Sequence, residues 1–111
     1  MVEYSNANLE LDALFHSLAD GTRRDMLRRV SQKPLTISEL ADSYTMSFAA
    51  IAKHVSVLER AKLVSKQRRG KEQVVSVAPK AIKIAASHLK QYEKLWNERF
   101  NRLDTLLKDN Q

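Results

Sequence analysis

Two helix-start signals lie close together in the middle of this chain, and they restrict its fold more than any other feature. The first, Thr36-Ile37-Ser38-Glu39, is a capping box. In it the threonine hydroxyl and the glutamate carboxylate each satisfy a backbone N–H that the first helical turn leaves unpaired. Behind it Ile37, Leu40, Ala41 and Tyr44 recur at helical spacing, which predicts a helix with one buried face. Thr45-Met46-Ser47 leaves only a short turn, and Ser47 is the natural N-cap of the next helix. In that helix Ile51, Val55 and Leu58 form the apolar edge, and the pattern stops near Lys62.

Helices of about two and four turns, joined by about three or four residues, have the dimensions of a helix-turn-helix. Leu63 to Arg69 and Glu72 to Val77 follow as two strand-like runs around Gly70, the only glycine in the second half of the chain. They read as a β-hairpin, and a basic hairpin directly after such a helix is a wing. Upstream, Leu11, Leu14, Phe15 and Leu18 set the stripe of a first helix over Leu9 to Leu18. Asp20 caps a second, Thr22 to Ser31, expected to bury Met26, Leu27 and Val30 and to expose Arg23, Arg24, Arg28 and Arg29. Lys33-Pro34 ends it.

From Pro79, a residue suited to a first helical position, nothing breaks helix until the C-terminus. One long helix, or two with a kink near Ala85-Ala86, is expected over about 79–108. Leu89, Tyr92, Trp96, Phe100, Leu103 and Leu107 recur every three or four residues, with Leu95 and Leu106 widening the stripe. A domain this small cannot bury all of it, and left bare it would be an aggregation hazard. A partner helix is therefore expected, and a symmetric homodimer is the simplest source of one. The interface candidates are Leu11, Leu14 and Phe15 on the first helix and Leu89, Tyr92, Trp96 and Leu103 on the last.

The 111 residues fit a single domain spanning 1–111, mainly α with a small β-hairpin: a winged helix-turn-helix of five helices plus wing. The absence of cysteine excludes disulfides, zinc ribbons, iron–sulfur clusters and thiolate catalysis. Met1 to Asn8 lacks the apolar core of a signal peptide, and no run approaches the roughly 20 apolar residues that cross a bilayer. A cytoplasmic protein without a membrane partner is expected. Of the net charge of +6, residues 51–78 carry seven basic and two acidic side chains, whereas residues 1–50 carry five and seven. Such a local cationic stripe suits a polyphosphate partner.

With Ile51, Val55 and Leu58 turned inward, Ala49, Ala50, Lys53, Ser56 and Val57 point away, flanked by Phe48 and His54. The N-terminal half of that face is where a recognition helix meets base edges. Small residues allow close approach to the major groove, alanine and phenylalanine suit thymine methyls, and Lys53 and His54 can donate to phosphate or guanine. An alanine-rich surface helix with good helix formers would look the same. The hairpin gathers Lys66, Arg68, Arg69 and Lys71, a set that suits phosphate contacts carrying affinity rather than sequence information. Edge-strand protection is the plainer reading of the same lysines. His16, His54 and His88 have no metal-site spacing, and Tyr92 and Trp96 fit a helix–helix interface better than a base-stacking platform. No P-loop, nucleophile elbow or carboxylate pair is visible. Neither metal nor cofactor is expected, and no catalysis.

The stretch Leu14 to Val77 resembles the ArsR-type (arsenic-repressor-like) winged-helix regulators. The likeness rests on Phe15-His16-Ser17-Leu18-Ala19-Asp20-Gly21-Thr22-Arg23-Arg24, on Thr36 to Ala41, on Met46 to Val64, and on the wing Arg68-Arg69-Gly70-Lys71-Glu72-Gln73. Tyr92, Trp96 and Arg99 look like part of the family's dimerising last helix. The resemblance implies a dimeric repressor of double-stranded DNA, paired through its first and last helices. Ser47, Ala49, Ala50, Lys53 and His54 would occupy recognition positions, and Arg68, Arg69 and Lys71 the wing. Two departures stand out. Ala41 and Ser43 occupy positions where metal-sensing members carry thiolates, and the paired carboxylate and histidine ligands of the last helix are missing, so metal sensing is not implied. Lys62 occupies the place of the usual glycine after the recognition helix, which asks a lysine to take a left-handed conformation. A winged-helix module for acidic protein partners, and a repressor sensing a metal or small ligand at the dimer interface, are the alternatives.

Overall fold

The computed structural model describes residues 6–109, with side chains from residue 10 onward. Residues 1–5 of the polar stretch Met1 to Asn8, and residues 110–111, lie outside the described part. In chain order the elements are α1 (Asn6–Leu18), α2 (Gly21–Gln32), β1 (Leu35–Thr36), α3 (Ile37–Ala41), α4 (Phe48–Arg60), β2 (Val64–Arg69), β3 (Glu72–Val77) and α5 (Pro79–Asp109). Five helices and a hairpin agree with the expected winged helix-turn-helix.

The helix starts fall where the capping residues place them. The Asp20 carboxylate accepts from the Arg23 N–H at 3.1 Å, and the Ser47 hydroxyl from the Ala50 N–H at 3.1 Å. At Thr36 both arms of the capping box are formed, at 3.0 Å each. Between these starts α3 is shorter than its apolar pattern suggested. After Ala41 the backbone tightens, with Ser43 N–H donating to the Leu40 carbonyl and Tyr44 N–H to that of Ala41, the three-residue closure of a 3₁₀ turn. Tyr44 thus leaves the helix while keeping its half-buried place.

One small core holds the elements together. Met26 and Val30 from α2, Leu40 from α3, and Ile51, Val55 and Leu58 from α4 meet Leu63, Val64 and Val75 of the hairpin. Val75 reaches this core from β3, the middle strand of a three-stranded antiparallel sheet ordered β1-β3-β2. Strand β1 is a feature without a sequence signal: two residues carry no period. It forms because Pro34 cannot continue α2, leaving Leu35 and Thr36 extended beside Val75 and Val74. The hairpin pairs Arg69 with Glu72 across Gly70-Lys71. Gly70 has φ 66° and Lys71 does not share the positive sign, which makes this a type II′ turn with glycine at the position that requires it.

Helix α4 ends in a Schellman motif. Lys62 donates to the Glu59 carbonyl at 2.9 Å and Leu63 to the Leu58 carbonyl at 3.0 Å, while Leu58 and Leu63 are both buried, as the motif's apolar contact requires. The expected left-handed lysine is present, with Lys62 at φ 62°. A side chain there costs roughly 1 kcal/mol relative to glycine. Lys62→Gly removes that cost along with an exposed ion pair to Glu10 at 2.8 Å. The variant should melt a few degrees higher; a calorimetric midpoint at or below wild type would contradict this reading of the cap.

Helix α5 is one continuous helix through Ala85-Ala86 and runs for 31 residues, about 46 Å at 1.5 Å per residue. Only its first turns pack on the domain, where Ala85 is buried. The rest projects, giving a radius of gyration of 19.1 Å against roughly 13 Å for a compact domain of about 100 residues. It leaves the sheet through a single residue, Ala78, whose N–H is bonded to the Leu63 carbonyl at 2.9 Å. No helix among the described residues is long and apolar enough to cross a membrane.

Candidate nucleic-acid interface

Burial of Ile51, Val55 and Leu58 rotates the opposite side of α4 outward. Ser47, Phe48, Ala49 and Lys53 are exposed, and Ala50, Ser56 and Val57 are half-exposed. Phe48 is 56% exposed, an apolar ring standing at the start of the helix rather than in the core. Ser47 is also the N-cap, so its oxygen already accepts one bond within the helix, which leaves its hydroxyl hydrogen and one lone pair to offer. The first turn of α4 thus presents small and apolar groups, with Lys53 one turn further along.

Hairpin and helix share one side of the domain. A groove of 340 Å³ lies between them, bordered by Ser38 of α3, Phe48 and Ala52 of α4, and Lys66, Lys71 and Gln73 of the wing. Arg68, Arg69 and Lys71 are exposed. Arg68 Nε donates to the Gly70 carbonyl at 3.1 Å, which curls that side chain over the turn. Lys66 differs from its neighbours: its ammonium lies 3.5 Å from Glu59 of α4, so it ties strand β2 of the wing to the helix instead of adding free charge.

His54 is half-buried, and its neighbour is a residue that helical periodicity misplaces. Arg23, expected on the exposed face of α2, has a side chain only 13% exposed. Its Nε donates to the Ser17 carbonyl at 2.7 Å and Nη2 to that of His16 at 3.2 Å, while Nη1 lies 3.4 Å from His54 Nδ1. Arg24 Nη1 donates to the Leu18 carbonyl at 2.6 Å. Two arginines thus satisfy the last carbonyls of α1, which have no acceptor role within their own helix, at its negative dipole end. A period-based reading sees only that both arginines lie off the apolar stripe; their tie to the preceding helix follows from the tight Ala19-Asp20 connection.

The turn between α3 and α4 is fixed from α2. Tyr44 donates to Asp25 Oδ2 at 2.5 Å, Arg28 and Arg29 donate to the same carboxylate at 2.7 and 2.8 Å, and the Arg29 guanidinium lies over the Tyr44 ring at 5.5 Å. The Tyr44 hydroxyl, followed by the two arginines, holds the Asp25 carboxyl well below the usual carboxylate range. Burial, then the bond to Asp25, pushes the Tyr44 phenol up to about 12. A carboxylate whose folded value is depressed stabilises the fold above its unfolded value, near 4, and loses that contribution as pH falls through the folded value. Tyr44→Phe should therefore cost about 1 kcal/mol at neutral pH. In urea titrations the gap to wild type should close progressively below about pH 4; a gap that persists into strong acid would contradict the network.

The expected interface residues divide. Leu14 is 3% exposed and belongs to the core of its own chain. Leu11 is half-buried in an apolar groove between α1 and α5 that Ala81 and Ile84 also line. Phe15, Leu89, Tyr92, Trp96 and Leu103 are exposed. Trp96 stacks on Phe100 at 5.4 Å and remains 60% exposed. Among the described residues no three histidine, aspartate or glutamate side chains converge as metal ligands would.

Residues 18–67, the span from the end of α1 into the wing, match the family model of a helix-turn-helix domain. The chain is 32% identical over 81 residues to the HTH-type transcriptional regulator Rv2034 of Mycobacterium tuberculosis, covering 73% of this chain and 76% of that one. It is 45% identical over 71 residues to the HTH-type transcriptional regulator YuzN of Bacillus subtilis, covering 58% and 77%. The crystal structure of the ArsR family transcriptional regulator RHA00566 superposes with a TM-score of 0.77 at 29% identity, covering 87% of this chain and 97% of that one. With its wing, its capped recognition helix and these relatives, the chain belongs to the ArsR-type winged helix-turn-helix family of DNA-binding transcriptional regulators.

Proposed function

We propose that the chain works as a homodimeric repressor that sets α4 of each protomer in the major groove of an imperfect palindrome, with the wing on the flanking phosphates. On DNA, Ser47, Phe48, Ala49, Ala50, Lys53 and His54 face the groove, and Arg68, Arg69 and Lys71 grip the backbone. It acts by binding, without a catalytic step, in the cytoplasm. One relative, SdpR of Bacillus subtilis, is named a transcriptional repressor and is 27% identical over 60 residues. A neighbour of like fold, Mb0332 of Mycobacterium bovis, is described as homodimeric.

The observation that carries the dimer is the bare face of α5. The exposed Leu89, Tyr92, Trp96, Phe100 and Leu103 step away from Trp96 by four and then three residues in both directions. An antiparallel copy related by a two-fold axis at Trp96 therefore meets this stripe with the same stripe. Leu89 lies opposite the partner's Leu103 and Tyr92 opposite the partner's Phe100.

Genomic fragments recovered by the purified protein should share two half-sites about 34 Å apart, or a multiple of that. Their affinity should fall steeply as salt rises. Binding indifferent to salt and equal on random duplex, or a chain that sediments as a monomer at micromolar concentration, would overturn the proposal.

A further inference from the structure

We infer that Arg23 is a positioning residue for the DNA-facing surface: braced on the end of α1, it holds the His54 ring through Nδ1 and leaves Nε2 as the N–H that donates to a backbone phosphate. The inference rests on the proposed DNA contact of α4 and adds to it a residue outside the helix-turn-helix.

Arg23 itself is not available to phosphate. Its donors go to the His16 and Ser17 carbonyls and to His54, and the Asp20 carboxylate stands 4.0 Å from Nη1. A guanidinium has five donors and no acceptor, so a ring nitrogen facing it has to accept. Nδ1 of His54 is therefore the unprotonated nitrogen, and the ring proton sits on Nε2, at the opposite edge. His54 follows Lys53 on the half-exposed flank of α4, and with one nitrogen held the ring has lost the freedom to turn its donor inward. The brace has two anchor points in the last turn of α1, the Ser17 carbonyl and the His16 carbonyl, the latter also closed by the Ala19 N–H at 3.2 Å.

A neutral ring that donates to phosphate leaves a distinct signature. It contributes affinity without releasing a counterion, so its loss should weaken binding equally at every salt concentration, whereas loss of a wing cation should flatten the salt slope. Four full-length proteins test this with a random-sequence duplex as probe: wild type, His54→Asn, His54→Gln and Arg23→Met. Asparagine keeps an acceptor near the Nδ1 position but nothing at Nε2; glutamine reaches the Nε2 position with an N–H. His54→Asn should bind roughly tenfold more weakly with an unchanged slope, glutamine should restore most of the loss, and Arg23→Met should resemble asparagine. Nitrogen-15 shifts of the free wild-type protein should show His54 as the Nε2–H tautomer alone, turning into a tautomer mixture in Arg23→Met.

A wild-type His54 protonated on Nδ1 at neutral pH would overturn the assignment whatever the binding data. So would His54→Asn binding like wild type while wild type shows its steep salt response; in that case the DNA reading stands and only this contact falls. A wild type that binds no duplex sinks both. Should Arg23→Met not fold, the two His54 variants and the wild-type shifts still decide the question.

Discussion

Replacing Arg68, Arg69 and Lys71 together with alanine is expected to weaken duplex binding about a hundredfold or more at moderate salt. Every cation withdrawn from a phosphate takes about 0.9 off the slope of log affinity against log salt. A dimer loses six wing cations, so the slope should shrink by up to about five. The fold should be untouched, since all three side chains are exposed and the type II′ turn depends on Gly70, which stays. Lys66 is left in place because it is anchored to Glu59, and its loss would mix a structural effect with an electrostatic one. Anisotropy titrations across a salt series read both quantities at once. A wing variant that keeps the wild-type slope would mean that the hairpin does not lie on the phosphates.

The second large effect lies at the other end of the molecule. Leu103→Glu should weaken self-association by about a thousandfold, because two copies of the charge enter one symmetric seam and two leucines leave it. Burying a leucine is worth roughly 1.5–3 kcal/mol, and an ionised carboxylate in an apolar seam costs more. The domain should remain folded, since position 103 is exposed on the projecting part of α5 and outside the core. Trp96 is the only tryptophan and serves as reporter: 60% exposed in a single chain, it should emit further to the red once the seam opens. Sedimentation showing an unchanged mass, with unchanged emission, would count against the paired α5 helices.

The parts of this fold that could be read from residues are those whose causes are local. The Thr36, Ser47 and Asp20 caps act within three residues of themselves, and Ile51, Val55 and Leu58 follow from helical period alone. The left-handed Lys62 was legible only through the family resemblance, in which a glycine usually stands at that helix end. What escaped depends on contacts between elements. Strand β1 exists only because β3 passes beside it. Arg23 looks like any surface arginine until the end of α1 is placed against it. Leu14 lies on the stripe of α1 with Leu11, yet one is sealed in the core and the other borders a groove, a distinction set by the tilt of the helix rather than its period. In the site, the exposed face of α4 was deducible by subtraction from its buried edge. The contact between Arg23 and His54 joins side chains 31 positions apart, and no pattern in the chain announces it.

The passage from β3 into α5 has a mechanical meaning. One residue separates strand from helix; its N–H is pinned to Leu63, and the proline that follows fixes its own backbone torsion. Such a joint has no slack, so the hairpin cannot swing while the long helix stays still. An operator with awkwardly spaced half-sites would have to be met by tilting each whole domain or by curving the DNA. For the same reason, anything that changed the angle between two paired α5 rods would be delivered undamped to the wing tips.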